Sequence, residues 1–295
     1  MGQVIVAVDG SECSATALRW ALREAGLREW QLTAALAWSY LDQRPTTPGK
    51  QFDPHYSEEN AYEALDAAVE AAVGPEAAGQ VDRKVICDLP TQALLEASQD
   101  ADLLVLGSRG LGGFKGLLLG SVSEQCLQHA TCPVAIVRGT GTAQADEART
   151  QPEGSTPRER IVVGVDGSET GQRGLHWALE EARARHAAVD AACAWRSPIV
   201  GIRRGAARFD PAAIEADARR VLDQAIDAED TSGLPAPVRR IVQSGSATQV
   251  VLQAAAGADL IVVGSRGLGG FKGLLLGSVS HQIARHAPCP VVIVK

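Results

Sequence analysis

Short apolar runs alternate along this chain with longer stretches in which apolar residues return every three or four positions. The first run, QVIVAV at residues 3–8, stops at Asp9-Gly10-Ser11. Beyond it Ala17, Trp20, Ala21 and Leu27 mark the apolar face of a helix predicted from about Ser14 to Arg28. Gln31 to Trp38 reads as the next strand, and residues 39–55, with three prolines, as a long loop. A helix over 57–73, a strand over 81–87 and a shorter helix over 91–99 follow, the last opened by Thr91 as its cap. The run ADLLVL from Ala101 and the run VAIV from Val134 are two more strands, with a glycine-rich stretch and a helix from Ser121 to Ala130 between them. Continuous apolar runs bounded by glycine suit strands buried on both faces of a parallel sheet. Strands alternating with helices predict an α/β fold with a doubly wound parallel sheet.

The whole pattern returns after 157 residues. VAVDGSE at Val6–Glu12 answers VGVDGSE at Val163–Glu169, and Trp20-Ala21-Leu22 answers Trp177-Ala178-Leu179. Ala37-Trp38 matches Ala194-Trp195, and CPVAIV from Cys132 matches CPVVIV from Cys289. From Ala101 to Ser123, 21 of 23 positions equal their counterparts, a match too long in period for a solenoid and suited to a duplicated domain. Strands of the second copy are expected near 160–165, 188–195, 238–243, 260–263 and 291–294. Two tandem domains follow, 1–138 and 158–295, joined by a polar linker over 139–157. At 295 residues in total, each is long enough to bury its own core.

Composition narrows the class. Aromatic residues make up only 4% of the chain, so alanine, valine and leucine must build the cores. No apolar run approaches the roughly 20 residues of a membrane span, and strand-like sequence from residue 3 leaves no signal-peptide pattern. The expectation is a cytoplasmic protein with no membrane contact. Cys13, Cys87, Cys126, Cys132, Cys193 and Cys289 form no C-x-x-C pair, which gives zinc and thioredoxin-like chemistry little support. The net charge of −7 is uneven: residues 1–138 carry −8 and residues 158–295 carry +3. An acidic total argues against nucleic acid as a partner. Arg203, Arg204 and Arg208 read either as a solvated loop or as a partner site.

The chemistry concentrates in GSRGLGGFKGLLLGSVS, which occupies Gly107–Ser123 and recurs unchanged at Gly264–Ser280. Gly107, Gly110 and Gly120-Ser121 are separated by two and nine residues, as are Gly264, Gly267 and Gly277-Ser278. A strand, a glycine loop and a helix opening at Gly-Ser bring free backbone N–H groups and the positive end of a helix dipole to one spot, which suits phosphate. The competing reading is a turn needed only for chain geometry. The loop lacks the Gly-Lys-Ser/Thr of a Walker A motif, and Lys115 occupies the third glycine position of a dinucleotide fingerprint. Ligands of such sheets bind where strand order reverses, which places Asp9 beside Gly107 and Asp166 beside Gly264. Each carboxylate can accept hydrogen bonds from a nucleoside, or close an Asp-Gly-Ser turn that starts a helix. Arg109 with Lys115, and Arg266 with Lys272, form either a phosphate clamp or a solvated pair. His129 and His286, at a helix end, suit a structural role.

On its glycine spacing and its duplicated strand ends, the chain resembles the ATP-binding class of universal stress proteins, as a tandem member, over both repeats. The resemblance implies a Rossmann-like domain in which adenine meets the end of the first strand and the backbone after the second. Ala7 and Asp9 then flank the nucleoside, with Ala37-Trp38 near the base. Gly107, Ser108, Arg109, Gly110, Leu111, Gly112 and Gly113 wrap ribose and phosphates, and Gly120, Ser121 and Val122 close on the phosphates. The second site uses Gly164 and Asp166, then Gly264, Ser265, Arg266, Gly267, Leu268, Gly269 and Gly270, then Gly277, Ser278 and Val279. The family commonly has valine or isoleucine where Trp38 and Trp195 stand, so each tryptophan either meets the base or packs in the core. The expected cofactor is ATP, with or without Mg2+. No general base stands in the loop, so the expected role is a nucleotide-dependent regulator with little or slow hydrolysis. A weak ATPase or phosphotransferase in the same pocket is the alternative, and a ligand-free interaction module the third. Expected partners are a protein that responds to the nucleotide and a homodimer or intrachain domain pairing through the last strands.

Overall fold

Valine, isoleucine and leucine fill the most apolar runs, and these are strands shut off from water on both faces: Val4, Val6, Leu103, Val105 and Val134–Val137 have no accessible surface. The computed structural model describes residues 2–38, 57–111, 118–138, 157, 159–196, 210–269 and 275–295. The predicted loop 39–55 lies wholly outside these residues, as do most of the linker and the Arg203, Arg204 and Arg208 cluster. The chain divides into two compact units, Met1–Gln151 and Pro152–Lys295.

In unit 1 the elements run β1 (Gln3–Ala7), α1 (Glu12–Arg28), β2 (Gln31–Trp38), α2 (Glu58–Val73), α3 (Pro75–Ala78), β3 (Val81–Cys87), α4 (Pro90–Ala97), β4 (Leu103–Gly107), α5 (Ser121–His129) and β5 (Val134–Val137). Within the unit the strands lie in the order β3-β2-β1-β4-β5, every pair parallel. Unit 2 repeats the plan with β6 (Arg160–Gly164), α6 (Glu169–Arg185), β7 (Ala188–Trp195), α7 (Pro211–Asp227), β8 (Arg239–Ser244), α8 (Ala247–Ala254), β9 (Leu260–Gly264), α9 (Ser278–His286) and β10 (Val291–Val294). Its order is β8-β7-β6-β9-β10, again all parallel. The predicted doubly wound α/β fold is present in each unit. Strand order reverses between β1 and β4, and between β6 and β9, so a crevice opens beyond their carboxyl ends.

Three local details differ from the sequence reading. The first helix begins at Glu12, because Ser11 is its cap and accepts from the Ser14 amide at 3.1 Å. Its buried stripe runs through Ala17, Leu18, Ala21 and Ala25, which turns Leu27 toward solvent at 37% exposure. Thr91 does not cap α4: that helix starts at Pro90, whose missing N–H and fixed φ suit the first helical position.

The units diverge at the amino ends of their strands, far from the crevice. In unit 2 Asp190 is buried in β7, where Arg160 reaches it at 2.7 Å and Arg239 at 2.7 Å. The matching residues of unit 1 are Gln3, Thr33 and Asp82. Burial by itself would raise the Asp190 carboxyl, but hydrogen bonds from Arg239 and Arg160 outweigh it and hold the group below the ordinary carboxylate range. A lowered folded-state pKa contributes stability that is present above the unfolded value and is lost as pH falls through the folded one. Asp190→Asn is therefore expected to lower the unfolding free energy of unit 2 by about 1–3 kcal/mol at neutral pH. That gap should close as the pH drops below about 4. Urea unfolding at pH 7 and pH 3 checks this, and an equal gap at both would contradict it.

Candidate functional site

Parallel pairing of Val4, Ile5 and Val6 with Leu103, Leu104 and Val105 carries the chain ends after β1 and β4 to the same edge of the sheet. After β1, Gly10 takes φ +79°, a left-handed turn that favours glycine, and Gly167 does the same at φ +80° after β6. Asp9 Oδ1 accepts from the Ser11 amide at 3.0 Å and so closes the turn that starts α1. Its other oxygen, Oδ2, accepts from the Leu111 amide at 3.0 Å, across the crevice in the glycine loop. Asp166 repeats this with Ser168 at 3.0 Å and Leu268 at 3.1 Å. The two readings of the aspartate are not rivals, because a carboxylate has two oxygens. It shapes the turn with one and latches the loop with the other.

That latch accounts for Gly110 and Gly267. A Cβ on Gly110 would sit 2.4 Å from Asp9 Oδ2, and one on Gly267 2.4 Å from Asp166 Oδ2. Gly107 and Gly264 are required by a different neighbour, the first turn of the helix after the adjacent strand, α1 against Gly107 and α6 against Gly264. A Cβ there would lie 2.9 Å from the Cys13 carbonyl group and 2.5 Å from that of Thr170 respectively. Gly269 has open space around its Cα, while Gly112, Gly113 and Gly270, with Lys115 and Lys272, lie outside the described residues. Gly164 faces inward instead: a Cβ there would meet Val263 at 3.1 Å and Val251 at 3.2 Å, so this position touches core side chains. Ala7 is its half-buried equivalent.

The far end of the loop is tied back to the sheet. Ser108, buried, donates its amide to the Val137 carbonyl at 2.8 Å, and its own carbonyl accepts from Gly120 at 2.8 Å. In unit 2 Ser265 donates to Val294 at 2.6 Å and accepts from Gly277 at 2.7 Å. Sequence reasoning passed over Ser123 and Ser280, although both lie in the repeated stretch. Their hydroxyls donate to the carbonyls of Gly107 at 2.8 Å and Gly264 at 2.6 Å, joining the strand end to the first helical turn. The available signal was their position, two residues after the Gly-Ser that opens the helix.

Gly120 and Gly277 cap α5 and α9 without any side-chain hydrogen bond. By contrast α1, α2, α6, α7 and α8 each have a serine or aspartate cap bonded to an early amide. The first intrahelical bond of α5 runs from Glu124 to Gly120 at 2.9 Å, which leaves the amides of Ser121 and Val122 with no partner inside the helix. Ser278 and Val279 stand alike, since His281 bonds Gly277 at 3.0 Å. Bare amides and the dipole of a nine-residue helix then face the crevice in each unit, a setting for an anion. Arg109 and Arg266 are exposed beside it. Trp38 and Trp195 end β2 and β7, half-buried, and the Trp195 indole nitrogen is buried without a hydrogen-bond partner among the described residues. His129 and His286 are the exposed last residues of their helices. Among the described residues no cluster of His, Cys, Asp and Glu could hold a metal ion, and no helix is long and apolar enough to cross a membrane.

Comparison with known proteins bears on this arrangement. The family described as "Universal stress protein family" matches residues 1–138 and again 157–295. Universal stress protein Rv2623 of Mycobacterium tuberculosis is 32% identical over 301 residues, spanning 99% of this chain and 96% of that protein. Universal stress protein Rv2005c of the same organism is 30% identical over 296 residues, with 99% and 96% covered. A solved universal stress protein from Archaeoglobus fulgidus shares the fold with a TM-score of 0.67 at 24% identity, covering 99% of this chain and 98% of that one.

The latch has a direct consequence in the protein without ligand. Asp9→Ala removes the acceptor of the Leu111 amide, so hydrogen exchange at Leu111 should quicken about tenfold. Exchange in the β1 core should not change. Amide-resolved exchange by NMR reads both, and an unaltered Leu111 rate would contradict the latch.

Proposed function

We propose, from the premise that this chain belongs to the universal stress protein family, that it is an ATP-binding, nucleotide-dependent regulator of the stress response. The observation that carries the reading is the duplicated crevice: an uncapped helix start and a glycine loop latched by an aspartate, present in both units. Most of what such a site offers is backbone N–H, which suits the phosphates of a nucleotide and needs little side-chain ordering. In this reading Ser121, Val122, Ser278 and Val279 hold phosphate oxygens through their amides, and Ser121 and Ser278 add a hydroxyl. The glycine loops from Gly107 and Gly264 lie along ribose and phosphates. Asp9 and Asp166 fix the turn against which the nucleoside rests.

The donor set fits a nucleotide better than a free cation. Both oxygens of each aspartate already accept backbone amides, so Mg2+ would travel on the phosphates and keep its waters. Each carboxylate is engaged by the turn and the loop, which supports binding with little or slow hydrolysis over turnover. A cytoplasmic setting belongs to this reading, as do self-association through the last strands, Val134–Val137 and Val291–Val294, and a protein partner that responds to occupancy.

Gly110→Val and Gly267→Val test it, because each places carbon atoms where the latch oxygen stands. Calorimetric titration with ATP should give two sites in the unaltered chain, one in either variant and none in the double variant, with unchanged circular dichroism. A double variant that binds like the unaltered chain would overturn the reading. Phosphate release that disappears in the double variant would favour the weak ATPase or phosphotransferase.

A further inference from the structure

The two glycine stretches are identical, yet the turns that face them are not. In unit 2 Thr170 lies in the first turn of α6, against the strand end at Gly264. Its hydroxyl donates to the Arg266 carbonyl and accepts from the Arg266 amide at 3.4 Å. Ser168 Oγ reaches the same carbonyl at 3.4 Å. In unit 1 the matching residues are Cys13 and Ser11, and among the described residues neither side chain bonds Arg109. A thiol is a weak donor and a weak acceptor, so Cys13 is a poor replacement for a hydroxyl at this place.

Unit 1 does have an extra hydroxyl, one residue later. Ser14 stands where unit 2 has Gly171, and its Oγ bonds the Ser11 carbonyl at 2.9 Å and the Asp9 amide at 3.4 Å. That group ties the turn to its own helix and not to the glycine loop. Unit 2 cannot adopt the same arrangement as it stands, since a Cβ on Gly171 would lie 2.8 Å from Asp166 Oδ1. Turn and loop are thus joined in unit 1 by the aspartate latch, and in unit 2 by the latch plus Thr170, since the Ser168 hydroxyl spends its one proton on Asp166 Oδ1 at 2.5 Å.

We infer that the two sites are unequal by construction: unit 2 binds nucleotide more tightly than unit 1, and Thr170 is the positioning residue that separates them. This rests on the nucleotide reading above. A loop already ordered loses less conformational freedom when ligand arrives, so binding is tighter. One additional hydrogen bond's worth of order corresponds to an affinity about threefold to tenfold higher in unit 2.

Two measurements on the full chain test this. In the ligand-free protein, hydrogen exchange at the Arg266 amide should be slower than at Arg109, and equal rates would overturn the inference without any variant. For affinity, the Gly110→Val chain, retaining only the unit 2 site, should bind ATP more tightly than the Gly267→Val chain by the factor above. Adding Thr170→Val to the first should bring its affinity down to that of unit 1, and Thr170→Ser should restore it. Equal affinities, a reversed order, or a serine variant as weak as the valine variant would each overturn the inference alone. If exchange is unequal but neither single-site chain binds ATP, the nucleotide reading fails and takes this inference with it.

Discussion

A carboxylate that accepts two backbone amides from opposite sides of a crevice is the interaction on which the shape of each crevice depends. Asp9 holds Ser11 with one oxygen and Leu111 with the other, across a sequence separation of 102 residues. That bond is possible only because the sheet sets β1 next to β4 and in parallel register. The turn needs Gly10 at positive φ, and the loop needs Gly110 to admit the carboxylate oxygen. Among the described residues the other ties of the loop after β4 lie toward its ends, at Ser108 on the sheet, at Leu118 under Arg138 and at Ser123 on the helix. Asp166 stands in the same relation to Ser168 and Leu268.

Around this shared device the copies have drifted in different ways. The glycine stretch stayed identical, while the amino ends of the strands exchanged Gln3, Thr33 and Asp82 for the ion cluster of Arg160, Asp190 and Arg239. A second buried cluster sets Arg185 between Glu159 and Glu181. Unit 1 keeps Glu24 and Arg28 at the matching positions but has Gly2 and Trp30 for Glu159 and Ala187, and Arg28 lies over the Trp30 ring at 4.7 Å. Nearer the crevice, Thr170 and Gly171 against Cys13 and Ser14 is the change that reaches the loop.

Much of this was legible in the letters. The alternation of strands and helices, the 157-residue repeat and the strand–loop–helix unit follow from periodicity and glycine spacing, which local sterics impose strongly. Details that depend on a third partner were not. Leu27 falls on the predicted stripe but turns outward, because the buried stripe runs through Leu18, Ala21 and Ala25 and Leu27 lies about half a turn around the helix from Leu18 and Ala25. Thr91 looks like a cap, yet Pro90 starts the helix one residue earlier. Ser123 was harder to read, because its place two residues after the Gly-Ser that opens the helix marks the first turn but does not name a carbonyl sixteen residues away as its partner. The aspartate reading left two roles open, and only the geometry of both oxygens shows that they coexist.

The central claim is that these crevices carry ATP. The most direct measurement is mass spectrometry of the nucleotide released when freshly purified protein is denatured, with its ratio to chain. The account predicts ATP, at more than one equivalent per chain when the protein is first saturated and then desalted quickly. Absence of any nucleotide, both as purified and after saturation, would contradict it.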